Sequence, residues 1–453
     1  MVLDQFLQPL AQLTPDQPPS AAPMVVRAAA VESTAVESTA VDYDVAIAGA
    51  GVVGLTLACA LEQSGLRVAL IEPQAKDAGL RFHRAYALTL LTGRIFAGLG
   101  LWDEILPHIT TFRRIRLADE TCPAVLDLAP EDLGTAELGY VAEHPVLVKA
   151  LLNRLQHASH VAWLCPATVM AAESDAEGVT LTLQIAGQEQ QIRSRILVAA
   201  DGSRSPLRQA AGIGTHGWQY WQSCVTAVIR PQHSHGDIAR EHFWASGPFA
   251  TLPLPGNRCQ IVLTAPHAEA QHWLEAPEAE FLAELDRRYG GSLGHLELVG
   301  DRTLFPVKLM QSDRYTQARL VLVGDAAHSC HPVGGQGLNL GIRDAAALAD
   351  TLTRAHQRGE DISQSKVLRR YERWRKPENL FILAFTDLLD RGFSSPWLPL
   401  VWARRLGLRL MHHIRPLRTL ALYVMTGLGG RHPSFSRRRH SPQALSVFTE
   451  VGG

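Results

Sequence analysis

The chain has 453 residues, 46% of them hydrophobic and 19% charged, enough for two or three globular domains with buried cores. A formal net charge of -1 excludes the global field that would hold nucleic acid, so no nucleic-acid partner is expected. Six scattered cysteines form no CxxC pair, which speaks against a zinc or dithiol site and for a reducing, cytoplasmic compartment. No run of about twenty uncharged apolar residues is present, so no spanning helix is expected.

In chain order, residues 1–41 read as an extension without stable structure. They are rich in Ala and Pro, carry the tandem repeat VESTAVESTA and lack large apolar residues at a helical period. Arg27 is the one basic residue there against Asp4, Asp16, Glu32 and Glu37, which argues against a targeting peptide.

Order is predicted from Tyr43. YDVAIAGAGVVGLTLACALEQSGLRVALIEPQ reads as buried strand, tight turn, helix and second buried strand, one βαβ unit. RAYALTLLTGRIFAGLGLW (84–102) reads as a helix. The segment 178–202 reads as a hairpin feeding a short apolar strand, 196–200. Between 216 and 310, alternating stretches broken by Pro and Gly predict an antiparallel sheet. RLVLVGDAA is another buried strand running into a loop, and from Asp344 the chain reads as mostly helical. The larger domain is therefore discontinuous, 42–215 and 311–390, with a sheet domain inserted at 216–310 and a helical, Arg-rich region at 391–453.

Three motifs carry chemistry. In Gly49-Ala50-Gly51-Val52-Val53-Gly54, Gly49 permits the turn after the strand, Gly51 lets the backbone approach a pyrophosphate, and Gly54 lets the helix pack on the strand. Glu72 closes the second strand about twenty residues on, where an acid takes ribose hydroxyls. These residues alone do not separate FAD from NAD. The second motif, ILVAADGSRSPLR (196–208), ends a strand in Asp201-Gly202. The third, LVLVGDAAHSCHPVGGQGLNLGIRD (320–344), puts Gly324-Asp325 after a buried strand, where an Asp accepts hydrogen bonds from sugar or ribityl hydroxyls. A glycine cluster follows, presenting the backbone N–H groups of Gly337, Leu338 and Asn339 at a helix start. Such donors suit a ring carbonyl that becomes negative on reduction.

These motifs together resemble the flavin-dependent aromatic hydroxylases with a para-hydroxybenzoate hydroxylase-like fold. HPVGGQGLNLGIRD is similar to the signature of the UbiH-type ubiquinone-biosynthesis hydroxylases at His331, Pro332, Gly335, Gln336, Gly337, Asn339, Gly341 and Asp344. RAYALTLLTGRIFAGLGLWDEI, GYVAEHPVLVKALLNRL and ASGPFATLPLPGNRCQIVLTA also resemble stretches of that family, with His144 where Asn is usual and Leu263 where Trp is common. The resemblance implies an α/β fold: a Rossmann-like FAD-binding domain, an inserted antiparallel β-sheet substrate domain and a helical C-terminal region. By resemblance, Gly49, Gly51, Gly54 and Glu72 hold the ADP half of FAD. Arg84 reaches the phosphate and ribityl region, Asp201, Gly324 and Asp325 shape the pyrophosphate and ribityl ends, and Gly335, Gln336, Gly337, Leu338 and Asn339 lie against the flavin ring. Pro332 stands beside the oxygen that O2 leaves on the flavin as a hydroperoxide. The reductant is NAD(P)H or an electron-carrier protein, since one dinucleotide fingerprint is present.

The implied reaction is hydroxylation of a polyprenylated phenol or quinol in ubiquinone or related prenylquinone biosynthesis, within a quinone-synthesis complex. The alternatives are hydroxylation of a soluble aromatic compound, reduction of isoprenoid chains, or a flavin-holding scaffold without turnover. His328 and His331 invite a metal or proton-relay reading, against a structural one. Trp218, Tyr220, Trp221, Phe243 and Trp244 either line a lipophilic pocket or fill a sheet core. The acid-free, Arg-rich segment 396–430 either lies peripherally on the inner membrane face or packs on the core.

Overall fold

The computed structural model describes residues 25–28, 41–82, 84–120, 122–395 and 397–437. The VESTAVESTA repeat and the arginines beyond Arg437 lie outside them.

The first sheet is built on runs of apolar residues buried on both faces. Tyr43–Ala48, Val68–Ile71, Val161–Leu164, the end of Gln188–Ala199 and Leu320–Leu322 pair in parallel, in the order 320–322, 196–199, 43–48, 68–71, 161–164. Val45, Ala46, Ile47, Val68, Ala69 and Leu70 are wholly buried, as doubly covered parallel strands require. The helices Val52–Ala60 and His144–Leu155 pack together here. An antiparallel meander, Ala167–Ser174, Val179–Ile185 and Gln188–Ala199, extends the sheet.

Three sequence expectations change. The strand predicted at 196–200 is the end of one continuous twelve-residue strand, Gln188–Ala199. Residues 84–102 are not one helix. Ala85–Thr89 is a strand, and the helix Leu90–Gly98 starts where the Thr89 hydroxyl caps the Thr92 N–H. Within the extension predicted to be unstructured, Val25–Ala28 forms a strand parallel to Ala167–Ser174, where an open sheet edge offers its backbone groups.

The second sheet runs 328–329, 296–312, 215–231, 258–266, 247–254, 238–244, 114–119, 122–128. Its centre is antiparallel as expected, but the chain before the insertion adds two strands. Arg114–Asp119 pairs in parallel with Ile238–Trp244 and carries Cys122–Leu128 at the edge. The helices His267–Glu275 and Glu278–Tyr289 cover one face, burying Phe281 and Leu285 against Ile261 and Leu263.

Gln336–Gln357 is the central helix. It buries Asn339 to Leu352 almost without interruption and packs on Val52–Ala60. Gly341 makes this close packing possible: a Cβ there would stand 2.7 Å from Val53 Cγ2. The helix Ser365–Ser394 buries Leu368, Tyr371, Arg375, Asn379, Ile382 and Leu383, a stripe at three- and four-residue spacing. Leu398–His413 and Arg415–Met425 follow as helices. Among the described residues, no helix is long and apolar enough to cross a membrane.

Candidate active site

The parallel strands bring the three motifs together, because each motif leaves the carboxyl end of one of them. Gly49 follows Ala48, Glu72 follows Ile71, Asp201 lies two residues past Ala199, and Gly324 lies two residues past Leu322. Ligands of open α/β sheets bind along that edge. A cavity of about 920 Å³ runs from it to the second sheet, lined at one end by Gly51, Arg84, Arg204, Lys308 and Asp325. Its middle is bounded by Pro332, Gly334, Gly335, Gly337 and Leu338, and its far end by Leu117, Phe243, Phe385, Phe393, Met411 and Met425.

At the fingerprint, Gly49 has φ +110° and no room for a Cβ, which would lie 2.4 Å from the Ala200 carbonyl oxygen. A Cβ on Gly54 would lie 1.9 Å from the Gly49 oxygen. Gly51 caps the helix Val52–Ala60 with its N-terminal donors, and a Cβ there meets nothing within 4 Å: the space before it is open. Glu72 accepts from the N–H of Ala50 (2.8 Å) and of Gln74 (3.1 Å), so it shapes the glycine turn from the next strand.

Asp201 accepts from Leu207 N at 3.3 Å, while its Oδ1 is buried without a partner. Burial raises its pKa, against the hydrogen bonds of Ser205 and Leu207. Arg208 ties this turn to the next by donating to Ala326 O (2.9 Å) and Ser203 O (3.2 Å). Asp325 opens onto the cavity; the enclosing protein raises its pKa against the pull of His328, Arg84 and Lys308. Arg84 lies over the Phe305 ring at 4.5 Å. Arg204 and Lys308, which sequence reasoning passed over, add positive charge to the same end.

The late glycine cluster works through conformation. Gly334 and Gly335 hold φ of +70° and +60°, and a Cβ on Gly334 meets nothing within 4 Å. Gly337 and Leu338 face the cavity. The side chains of Asn339 and Gln336 hold the loop in place. Asn339 Oδ1 accepts from Thr89 N (2.9 Å) and Thr92 Oγ1 (2.7 Å), while Nδ2 donates to Ala87 O and Gly335 O (both 2.8 Å). It clamps the strand Ala85–Thr89 to the loop. Gln336 donates to Gly334 O (3.2 Å) and Met425 O (3.1 Å), tying the loop to the last helix.

Both histidines of the motif are structural. His328 Nε2 lies 2.6 Å from Asp344 Oδ2, which also accepts from Gly324 N (3.1 Å), while Oδ1 accepts from Arg375 Nε (2.8 Å) and Asn379 Nδ2 (3.0 Å). Burial opposes ionisation of Asp344, but His328 and Arg375 outweigh it and hold the carboxyl at about 2. His331 is fully buried, accepts from Val333 N at 3.2 Å and stands edge-on to Tyr220; burial lowers it to about 3 and keeps it neutral. Among the described residues no group of three His, Cys, Asp or Glu is placed to hold a metal.

Of the five aromatic pocket candidates, Phe243 alone lines the cavity. Tyr220 donates to Asp387 at 2.6 Å, Trp218 is covered by Arg391, Trp244 is covered by Arg287 and Arg288, and Trp221 is exposed. Leu263 lies in the sheet core, whereas His144 lines the cavity beside Tyr86 (3.2 Å). Glu241, unmarked in the sequence reading, also lines it. Its signal was a charge on the apolar face of an alternating strand, between Ala239 and Phe243.

The residues fit FAD: an open helix N-terminus at Gly51, an unpartnered carboxylate oxygen on Asp201, cations beside them, and a glycine loop left open at Gly334. A family model described as FAD binding domain matches residues 42–383. The chain is 39% identical over 400 residues to "Ubiquinone hydroxylase UbiL" of Rhodospirillum rubrum, covering 87% of this chain and 92% of that protein. It is 34% identical over 392 residues to the Escherichia coli "3-demethoxyubiquinol 3-hydroxylase", covering 85% and 98%. In fold it is similar to p-nitrophenol 4-monooxygenase PnpA from Pseudomonas putida, with TM-score 0.72 and 20% identity over 86% of this chain and 98% of that one. The chain thus belongs to the FAD-binding domain family, among its ubiquinone-type hydroxylases, and is an FAD-dependent monooxygenase.

Proposed function

We propose that the protein hydroxylates the aromatic ring of a polyprenylated phenol or quinol on the route to ubiquinone or a related prenylquinone. One observation carries this: the cavity is continuous from the fingerprint to an apolar chamber of Phe243, Phe385, Phe393, Met411 and Met425. A ring held at the glycine loop has room for a hydrocarbon tail there, which a small soluble phenol does not need. The names of the two relatives support the same substrate class.

Bound FAD would supply the redox chemistry, with NAD(P)H or a carrier protein as reductant and O2 as the oxygen source. The chain's own part is positioning. Gly51, Glu72, Asp201 and Asp325 fix the nucleotide and sugar end. The N–H groups of Gly337 and Leu338 at a helix start favour negative charge on a reduced ring. The apolar chamber excludes water from the oxygen-transfer step. Deletion of the gene, followed by mass identification of the quinone precursor that accumulates, tests the function. A precursor lacking one ring hydroxyl is expected; a normal quinone profile overturns it.

We further propose that the helices Leu398–His413 and Arg415–Met425 rest on an anionic membrane surface. Leu408, Met411, Ala421 and Met425 line the cavity, while Trp397, Trp402, Leu406, Leu410, Leu417 and Leu420 are exposed beside Arg409 and Arg415. Other arginines serve the fold: Arg404 pairs with Asp119 (2.7 Å) and Arg418 with Asp132 (2.9 Å). Co-sedimentation with anionic vesicles is expected, and weaker binding by the double variant Trp402→Ser, Leu406→Ser. Equal binding by that variant overturns the assignment. A peripheral place on the inner membrane face would follow from it.

A further inference from the structure

We propose that Glu241 is a catalytic residue of this chain, accepting the proton of the substrate's phenolic hydroxyl as the ring is hydroxylated. The inference rests on the hydroxylase function proposed above and adds to it the base that the motifs do not supply.

Glu241 lies on the strand Ile238–Trp244, in register with Leu117 on one side and Ala250 on the other. Ala239, Glu241 and Phe243 line the cavity together, with Arg240 of the same strand, and Glu241 is the one carboxylate this strand brings to it. The backbone N–H of Gly334, in the glycine loop, favours the charged form of that carboxylate. Glu241 therefore shares the cavity with the loop residues Pro332, Gly334 and Gly335.

On its own strand, Arg240 also lines the cavity and donates to the His235 carbonyl (3.4 Å). On the neighbouring strand Arg116 is paired with Asp127 at 2.9 Å. Arg84 lies over the Phe305 ring and, with Lys308, acts on Asp325. Behind the loop, His331 is neutral and 3.4 Å from Asp390, whose carboxyl burial raises to about 6. Burial, opposed only by the Gly334 N–H, lifts Glu241 to about 7. A carboxyl at that value is poised for proton acceptance near neutrality.

The step is a proton transfer. As the ring gives electron density to the incoming oxygen, its hydroxyl becomes acidic. The O–H bond breaks, a Glu241 carboxylate oxygen takes the proton, and the electron pair stays on the phenolic oxygen as it becomes carbonyl-like. Glu241 ends neutral and no electron is exchanged with it.

The test compares full-length, FAD-loaded wild type with Glu241→Gln, using a geranylated phenol and its ring-fluorinated analogue, whose hydroxyl is more acidic. Gln retains an acceptor for Gly334 N–H, so the flavin absorbance per protein is expected to match wild type. For wild type, kcat/KM should rise with pH through about 7, as Glu241 ionises. Glu241→Gln should be slower by about 100-fold, the scale of a positioned base. It should lack that pH limb, and the wild-type to variant ratio should fall with the fluorinated phenol. Equal rates overturn the proposal. So does a slow variant that keeps the pH limb and the same ratio with both phenols, or one that loses FAD, since either marks a scaffold role. If wild type itself fails to hydroxylate either phenol, the substrate reading fails, and the role of Glu241 falls with it.

Discussion

The two glycine clusters of this chain solve different problems. In the fingerprint, Gly49 and Gly54 are glycine because protein backbone presses on them: an added Cβ would meet carbonyl oxygens at 2.4 and 1.9 Å. In the late cluster, Gly334 is glycine because of its φ of +70°, with nothing near it. The first cluster is a packing joint with one open position, Gly51. The second is a left-handed bend whose backbone lines the cavity. Composition does not distinguish them; the source of the constraint does.

Four substitutions separate these roles, in order of expected effect. The largest falls on the anchor of the late cluster. Asp344→Asn leaves Arg375 and His328 buried without their carboxylate and should cost about 3–5 kcal/mol, read as a lowered denaturation midpoint. Because the Asp344 carboxyl lies at about 2 when folded and at its ordinary higher value when unfolded, it stabilises the fold above pH ~4. That contribution fades as pH falls through about 2. The wild type should lose it over that window, and Asp344→Asn should show no such loss from this site.

Next comes Gly54→Ala, where backbone meets Cβ and the helix must shift off the strand. About 3 kcal/mol is expected, with loss of bound FAD. Stability within about 1 kcal/mol of wild type would break the packing-joint account. Gly334→Ala should cost only about 1–2 kcal/mol, the strain of a left-handed alanine. The smallest effect on stability, within about 0.5 kcal/mol, is expected at Gly51→Ala, whose Cβ touches no protein atom. Its signature is weaker FAD binding in a fluorescence titration with an unchanged apo-protein melting temperature. Unchanged FAD affinity would mean that no ligand approaches Gly51.

The βαβ unit could be read in the sequence because its determinants are local: an apolar run, spaced glycines, and an acid at the next strand end. The helical C-terminal region was also legible from its periodicity. Residues 84–102 misled because ALTLLTG suits either strand or helix, and the Thr89 cap decides between them only once Ala85–Thr89 has a partner strand in Gly139–Glu143. The motif spacing of Asn339 and Gln336 says nothing about which way their side chains turn. The partners that claim them, Thr89, Thr92 and Met425, are far away in sequence. Glu241 was overlooked for a related reason: a lone acid in a strand gains meaning from what faces it, and here that is a loop some ninety residues further on.

The bond from Gly324 N–H to Asp344 spans twenty residues and joins the turn after a strand to the middle of a helix. That stretch therefore has a fixed length. One residue inserted in the helix between Gln336 and Asp344 would turn the carboxylate about 100° away from Gly324, His328 and Arg375. Chain-length variation should be tolerated at surface turns such as Ala186-Gly187 and rejected here, so this stretch can serve as a ruler for aligning distant relatives when side-chain identity has faded.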